Sequence, residues 1–149
     1  MIFIDANILL RYTTEPESPE VARMQSAAMS LFELVETGEL TVTTSEVVLH
    51  ETCYVLTSHR QYGYSVSEVA PELAAILAWP GFVFPGDDKA IYLRALDLWG
   101  HNPKLEFSDS VIAARCERAG HELATFDRHF ADLPFLALWQ PDPTGAAGS

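Results

Sequence analysis

Asp5, Glu51, Asp109 and Asp127 are the residues of this chain best placed to do chemistry. Asp5 ends the apolar run Met1-Ile2-Phe3-Ile4, too short for a surface helix, which reads as a buried strand of a parallel sheet. Ligands of open α/β sheets bind at the carboxyl ends of the strands, and Asp5 falls there. The other three acids recur at related positions. Four carboxylates in one crevice repel one another unless a cation lies among them, and the usual cation is a divalent metal.

Each acid also has a plainer reading. On a helical wheel of residues 46–58 the polar face is Glu46, His50 and Thr57, whereas Glu51 falls among Val47, Val48, Tyr54 and Val55. A carboxylate inside an apolar stripe is costly unless paired or metal-bound, so the alternative is an ordinary buried ion pair. Asp109 sits where a helix begins, and an acid in the first turn complements the helix dipole without any function. Asp127 would serve equally as a cap for the turn Arg128-His-Phe. What singles out these two is placement, one opening a helix that leads to a strand, the other directly following that strand. Thr125, at the strand's end, could hold a metal-bound water. Asn7 could orient Asp5 or cap a turn. Arg11 could reach a phosphate near the site or simply lie on the surface, and Arg128 directly follows the last acid.

Other chemistry has thinner support. His50-x-x-Cys53 has the spacing of half a zinc site, but no second pair with ligand spacing follows. Cys53 and Cys116 each lie in a helical apolar pattern and read as reduced core residues. His59, His101, His121 and His129 are scattered. No glycine-rich phosphate loop and no Gly-x-Ser-x-Gly occurs.

Nine basic residues against 21 acidic ones give a net charge of −12, which excludes a general nucleic-acid coat. Glutamates at 15, 17, 20, 33, 36 and 39 face only Arg23, as on a solvated helical face. Arg115, Arg118 and Arg128 lie late in the chain and are expected to make one face locally basic. No apolar run approaches the ~20 residues of a membrane span, and Met1 leads into a strand without a basic leader, so a cytoplasmic location is expected.

The elements that must position these side chains are readable from caps and periodicity. Ser18-Pro19 starts a helix that Gly38 ends. Leu40–Thr43 reads as a strand and Ser45 as the cap of a helix to about Ser58. Ser65-x-x-Glu68 matches a capping box, with Pro71 expected in the first turn and Pro80-Gly81 closing the segment. Phe82–Phe84, Leu123–Thr125 and Phe135–Leu138 read as further strands. A helix is expected from Asp87 or Asp88 to about Gly100, and another from Ser108 to Gly120. Strands alternating with helices predict an α/β sandwich around a mostly parallel sheet, one domain over 1–140 with a disordered tail at 141–149. Val47, Leu49, Leu56, Leu73, Ile76 and Leu77 carry more apolar surface than a small sheet needs to cover, which predicts a homodimer.

Four stretches, IDANILLRY, VVLHETCYVL, SDSVIAARCERAG and ATFDRHF, together resemble the PIN domain, and within it the VapC-type ribonuclease toxins of bacterial toxin–antitoxin pairs. The resemblance spans residues 2 to 130. It implies a PIN-like α/β/α fold, Mg²⁺- or Mn²⁺-dependent endonuclease activity on RNA, and an acidic metal site at Asp5, Glu51, Asp109 and Asp127 with Asn7 and Thr125 in support. Glu46 is the alternative for the second acid. It also implies a two-fold pair and a cognate antitoxin as partner. A non-catalytic PIN-like interaction domain is the main alternative. A haloacid-dehalogenase-like phosphatase is disfavoured, because the second Asp it expects is Asn7 here.

Overall fold

The chain enters its fold through a two-residue strand, β1 (Ile2–Phe3), and switches at once into helix α1 (Ala6–Thr13). The computed structural model describes residues 1–141. Helix α2 (Pro19–Thr37) leads to strand β2 (Val42–Thr43), and α3 (Glu46–Thr57), α4 (Val66–Leu77), α5 (Asp88–His101) and α6 (Phe107–Ala119) follow, with a 3₁₀ turn at Arg128–Asp132. Over the described residues this is an α/β fold of six helices and a small parallel sheet. The expected tail at 141–149 falls, Pro141 apart, outside the described residues.

Caps fix most helix starts. The Ser18, Ser45 and Ser65 hydroxyls accept from the amides of Val21, Val48 and Glu68 at 3.2, 3.5 and 3.3 Å. Each satisfies one of the amides that a helix N-terminus leaves unpaired. Gly38 and Gly120 close α2 and α6 in the left-handed conformation. Two expectations shift. Helix α6 begins at Phe107 with Glu106 as its cap rather than Ser108. Pro71 is the sixth residue of α4 rather than part of its first turn, and there it removes an internal hydrogen bond.

β1 and β2 pair in parallel, with Ile2 opposite Val42 and Phe3 opposite Thr43. The amides of Ile2 and Ile4 donate to Thr41 and Thr43 at 3.3 and 2.8 Å. On the far side of β2, Val42 bridges Phe82, its amide donating to Gly81 and its carbonyl accepting from Val83. The expected strands Phe82–Phe84, Leu123–Thr125 and Phe135–Leu138 shrink to single bridges, since Leu123 pairs only with Leu138. Among the described residues nothing pairs with the other edge of β1. The expectation of a buried first strand is therefore corrected: Phe3 is 59% exposed and Ile2 42%, and only Ile4 is buried.

The core runs between the helices. Phe32, Phe82, Phe107, Leu49, Leu56, Leu73, Ile76 and Leu77 are almost wholly buried, each contributing about 1.5–3 kcal/mol. Five residues read as surplus surface for a dimer are thus spent inside the single chain; of that set only Val47, 77% exposed, faces outward. No helix is long and apolar enough to cross a membrane among the described residues.

Candidate active site

Asp5 stands where β1 turns into α1. Its Oδ1 accepts from the Ala6 amide at 2.8 Å, making it the cap of a helix that the apolar pattern had concealed. The backbone before it is pinned: the buried Thr44 hydroxyl donates to the Ile4 carbonyl at 2.8 Å. Asp5 is exposed and has no basic partner among the described residues. Asn7 is exposed on the first turn of α1, and no side-chain hydrogen bond joins it to Asp5 there.

Glu51 lies in the middle of α3 and is exposed, which corrects its expected place inside an apolar stripe. The buried face of α3 is Val48, Leu49, Thr52, Cys53 and Leu56. Val47, Glu51 and Tyr54 form a solvent-facing stripe, with Tyr54 60% exposed. Apolar neighbours misled because much of any protein surface is apolar. Glu46, the alternative second acid, is already engaged: Arg115 pairs with Glu46 at 3.4 Å and with Asp88 at 3.3 Å. Glu51 has no such partner among the described residues.

Asp109 is the third residue of α6, half-buried, and its Oδ2 accepts from the Glu106 amide at 3.1 Å. Asp127 caps the 3₁₀ turn, its Oδ1 accepting from the His129 amide at 2.9 Å and lying 3.0 Å from the His129 ring. Thr125 accepts from the Asp127 amide at 3.0 Å, so its hydroxyl oxygen serves the turn.

Helix α3 packs against both α1 and α6, which gathers the elements bearing Asp5, Glu51 and Asp109 around one helix. Asp127 arrives on the separate Leu123–Leu138 pair. Among the described residues no three His, Cys, Asp or Glu side chains make one metal-holding group, and His50 with Cys53 finds no third ligand. The donor set still suits one kind of ion. Four carboxylates are hard oxygen ligands, and Mg²⁺ is commonly held by one or two carboxylates with waters and substrate phosphate rather than by a protein cage.

The expected basic face is smaller than the sequence suggested. Arg115 is tied to Glu46 and Asp88, Arg118 to Asp87 at 3.1 Å, and Arg94 to Glu117 at 2.8 Å. Lys89 donates to the Trp79 and Phe82 carbonyls, and burial pulls its pKa down. Arg11, Arg23, Arg60, Lys104 and Arg128 have no ion pair among the described residues. Three of these stand close in sequence to a candidate acid: Arg11 to Asp5, Lys104 to Asp109, Arg128 to Asp127.

A cavity that no sequence motif announces lies beside α3. It measures about 220 Å³ and is bounded by His50, Cys53, Tyr54 and Thr57 on one side and by Lys104, Glu106 and Phe107 on the other. His50-x-x-Cys53, with the spacing of half a zinc site, is the one sequence signal on its wall. Both cysteines are free, and burial pushes the Cys53 thiol well up.

The sequence profile of the PIN domain matches residues 2–136, nearly the whole chain. The chain therefore belongs to the PIN-domain family, whose members are generally divalent-metal-dependent nucleases. No curated protein matches it.

Proposed function

We propose that this PIN-domain chain is the VapC-type toxin of a bacterial toxin–antitoxin pair, a Mg²⁺- or Mn²⁺-dependent endoribonuclease acting on structured or single-stranded RNA in the cytoplasm. The α/β/α layering of that type belongs to the same reading. The observation that carries it is the placement of Asp5, Glu51 and Asp109 on the elements around α3, each without a basic partner among the described residues. Carboxylates kept free of arginine are available to a cation.

Asp5 and Asp109 would hold the ion directly, with Glu51 and Asp127 binding it directly, through water, or at a second ion. When bound, the ion supplies Lewis acidity to the phosphate and lowers the pKa of water. The chain's own residues do the rest. The Ala6 and Glu106 amides fix one oxygen each of Asp5 and Asp109, leaving the second free. Arg11, Lys104 and Arg128 are available to phosphates. Single-stranded or looped RNA suits a narrow site because its backbone bends into it.

Two partners complete the reading. A second copy of the chain forms a two-fold pair, which light scattering at high micromolar concentration would show and a monomer would refute. The silencing partner is an antitoxin whose arginine enters the acidic site, pairing bidentately with a carboxylate, while flanking apolar residues supply the affinity. The charge of −12 speeds capture of a basic partner, with an on-rate that falls with salt.

The test is cleavage of RNA by the purified chain with Mg²⁺, Mn²⁺ or EDTA, with and without the product of the adjacent small gene. Metal-dependent cleavage that the partner abolishes at a one-to-one ratio is the expected result. Cleavage without inhibition or complex would make the chain a free-standing nuclease. No cleavage under any condition would leave a non-catalytic PIN domain.

A further inference from the structure

We propose that the cavity between α3 and the segment entering α6 receives one unstacked nucleobase of the RNA strand. The choice of a nucleobase rests on the nuclease reading of the neighbouring acids. The rest comes from the cavity itself, which measures about 220 Å³. That is far more than a single water needs and admits a small planar heterocycle.

Its walls carry both halves of base recognition. Tyr54, 60% exposed, holds an aromatic face at the rim that the core does not use, and Trp99 lines the interior. His50 borders the cavity with other atoms of its ring or stem, its Nδ1 being sealed from solvent and without a hydrogen-bond partner. Thr57 donates its proton to the Cys53 carbonyl at 2.8 Å, which leaves its oxygen as an acceptor. Lys104 adds a cation and Glu106 an acceptor, neither engaged in an ion pair among the described residues. Single-stranded RNA is read in this way, by stacking on aromatic side chains and by hydrogen bonds to base edges that carry donors and acceptors together.

Position joins the cavity to the candidate acids. His50 directly precedes Glu51, and Tyr54 follows it by one turn on the same exposed stripe. On the opposite wall, the Glu106 amide is bonded to the Asp109 carboxylate. A base seated here would fix the register of the strand against both acids.

The test is binding to the full chain in EDTA, where no hydrolysis occurs, followed by NMR of the Trp99 indole and His50 ring signals. The probes are the four nucleoside 5′-monophosphates, with ribose 5-phosphate as control. The expected result is saturable shifts with at least one nucleotide, at least about tenfold weaker binding of ribose 5-phosphate, and a loss of fivefold or more in Tyr54→Ala. Tyr54 is exposed, so that variant keeps the fold; Lys104→Ala gives a second, independent loss. Absence of shifts with every nucleotide, or equal shifts with ribose 5-phosphate, overturns the proposal. Nucleotide binding by a chain that cuts no RNA would support the cavity and defeat the nuclease reading. Cleavage with an unchanged base preference in Tyr54→Ala would do the reverse.

Discussion

The Thr44 hydroxyl donates to the Ile4 carbonyl across 2.8 Å, in a position where Thr44 is almost fully buried. This bond joins the ends of the two strands, one residue before Asp5 and one before the Ser45 cap of α3. Thr44→Val keeps the shape and leaves the Ile4 carbonyl short of a partner. We expect a loss of about 1–2 kcal/mol in urea unfolding, with Thr44→Ser close to wild type. Equal stability of all three proteins would show that the bond does not hold the strand ends.

Asp5→Asn separates capping from chemistry. Asparagine caps a helix about as well as aspartate, so the midpoint of unfolding should move by no more than about 1 kcal/mol, the share owed to the helix dipole. Metal-dependent cleavage of RNA should disappear, because a ligand charge is gone. Full cleavage by a folded, nuclease-free preparation of the variant would remove Asp5 from the site.

Gly81 is required by close approach. A Cβ there would meet the Leu40 carbonyl oxygen at 2.3 Å and the Val35 carbonyl oxygen at 2.5 Å, both backbone atoms with little freedom to move. The Gly81 amide also donates to Val35 at 2.9 Å, while its carbonyl accepts from Val42. Gly81→Ala should cost about 2–4 kcal/mol, read as a lower urea midpoint. A neutral substitution would mean that the end of α2 and β2 can separate freely.

Burial raises the pKa of the Cys53 thiol, so the folded chain keeps a proton that the unfolded chain releases near pH 8.5. Its contribution to stability is complete below that pH and lost above it. Stability should therefore fall by up to about 1.4 kcal/mol for each further pH unit. Urea midpoints between pH 7.5 and 10 measure the slope. Cys53→Ala should be less stable throughout yet flatter with pH, and an unchanged slope would assign the effect elsewhere.

The helix starts were plain in the sequence because capping is local chemistry: Ser18, Ser45 and Ser65 each act within three residues of themselves. Helix α1 was hidden because Asp5 ends an apolar run that looks like strand, and Ala6–Thr13 is only eight residues long. The extents of Phe82–Phe84 and Leu123–Thr125 depend on partners distant in the chain, which periodicity does not encode. Glu51 was chosen for a reason that failed, its supposed burial. What distinguishes it is that Arg115 reaches Glu46 instead, a contact between residues 69 positions apart. The same long-range packing hid the cavity, whose two walls come from α3 and from the approach to α6.

The open edge of β1 has a consequence for the solution behaviour of the protein. Exposed backbone beside Ile2 and Phe3 is a template on which another strand can grow. β2 occupies the other edge of β1, so a second copy joining through its own β1 would close the edge as a pair rather than grow into a fibre. Asp5, exposed at the end of that edge, keeps a charge beside it. Asp5→Asn removes that charge, so a silent preparation of the variant speaks about catalysis only after scattering has shown it to be free of aggregates.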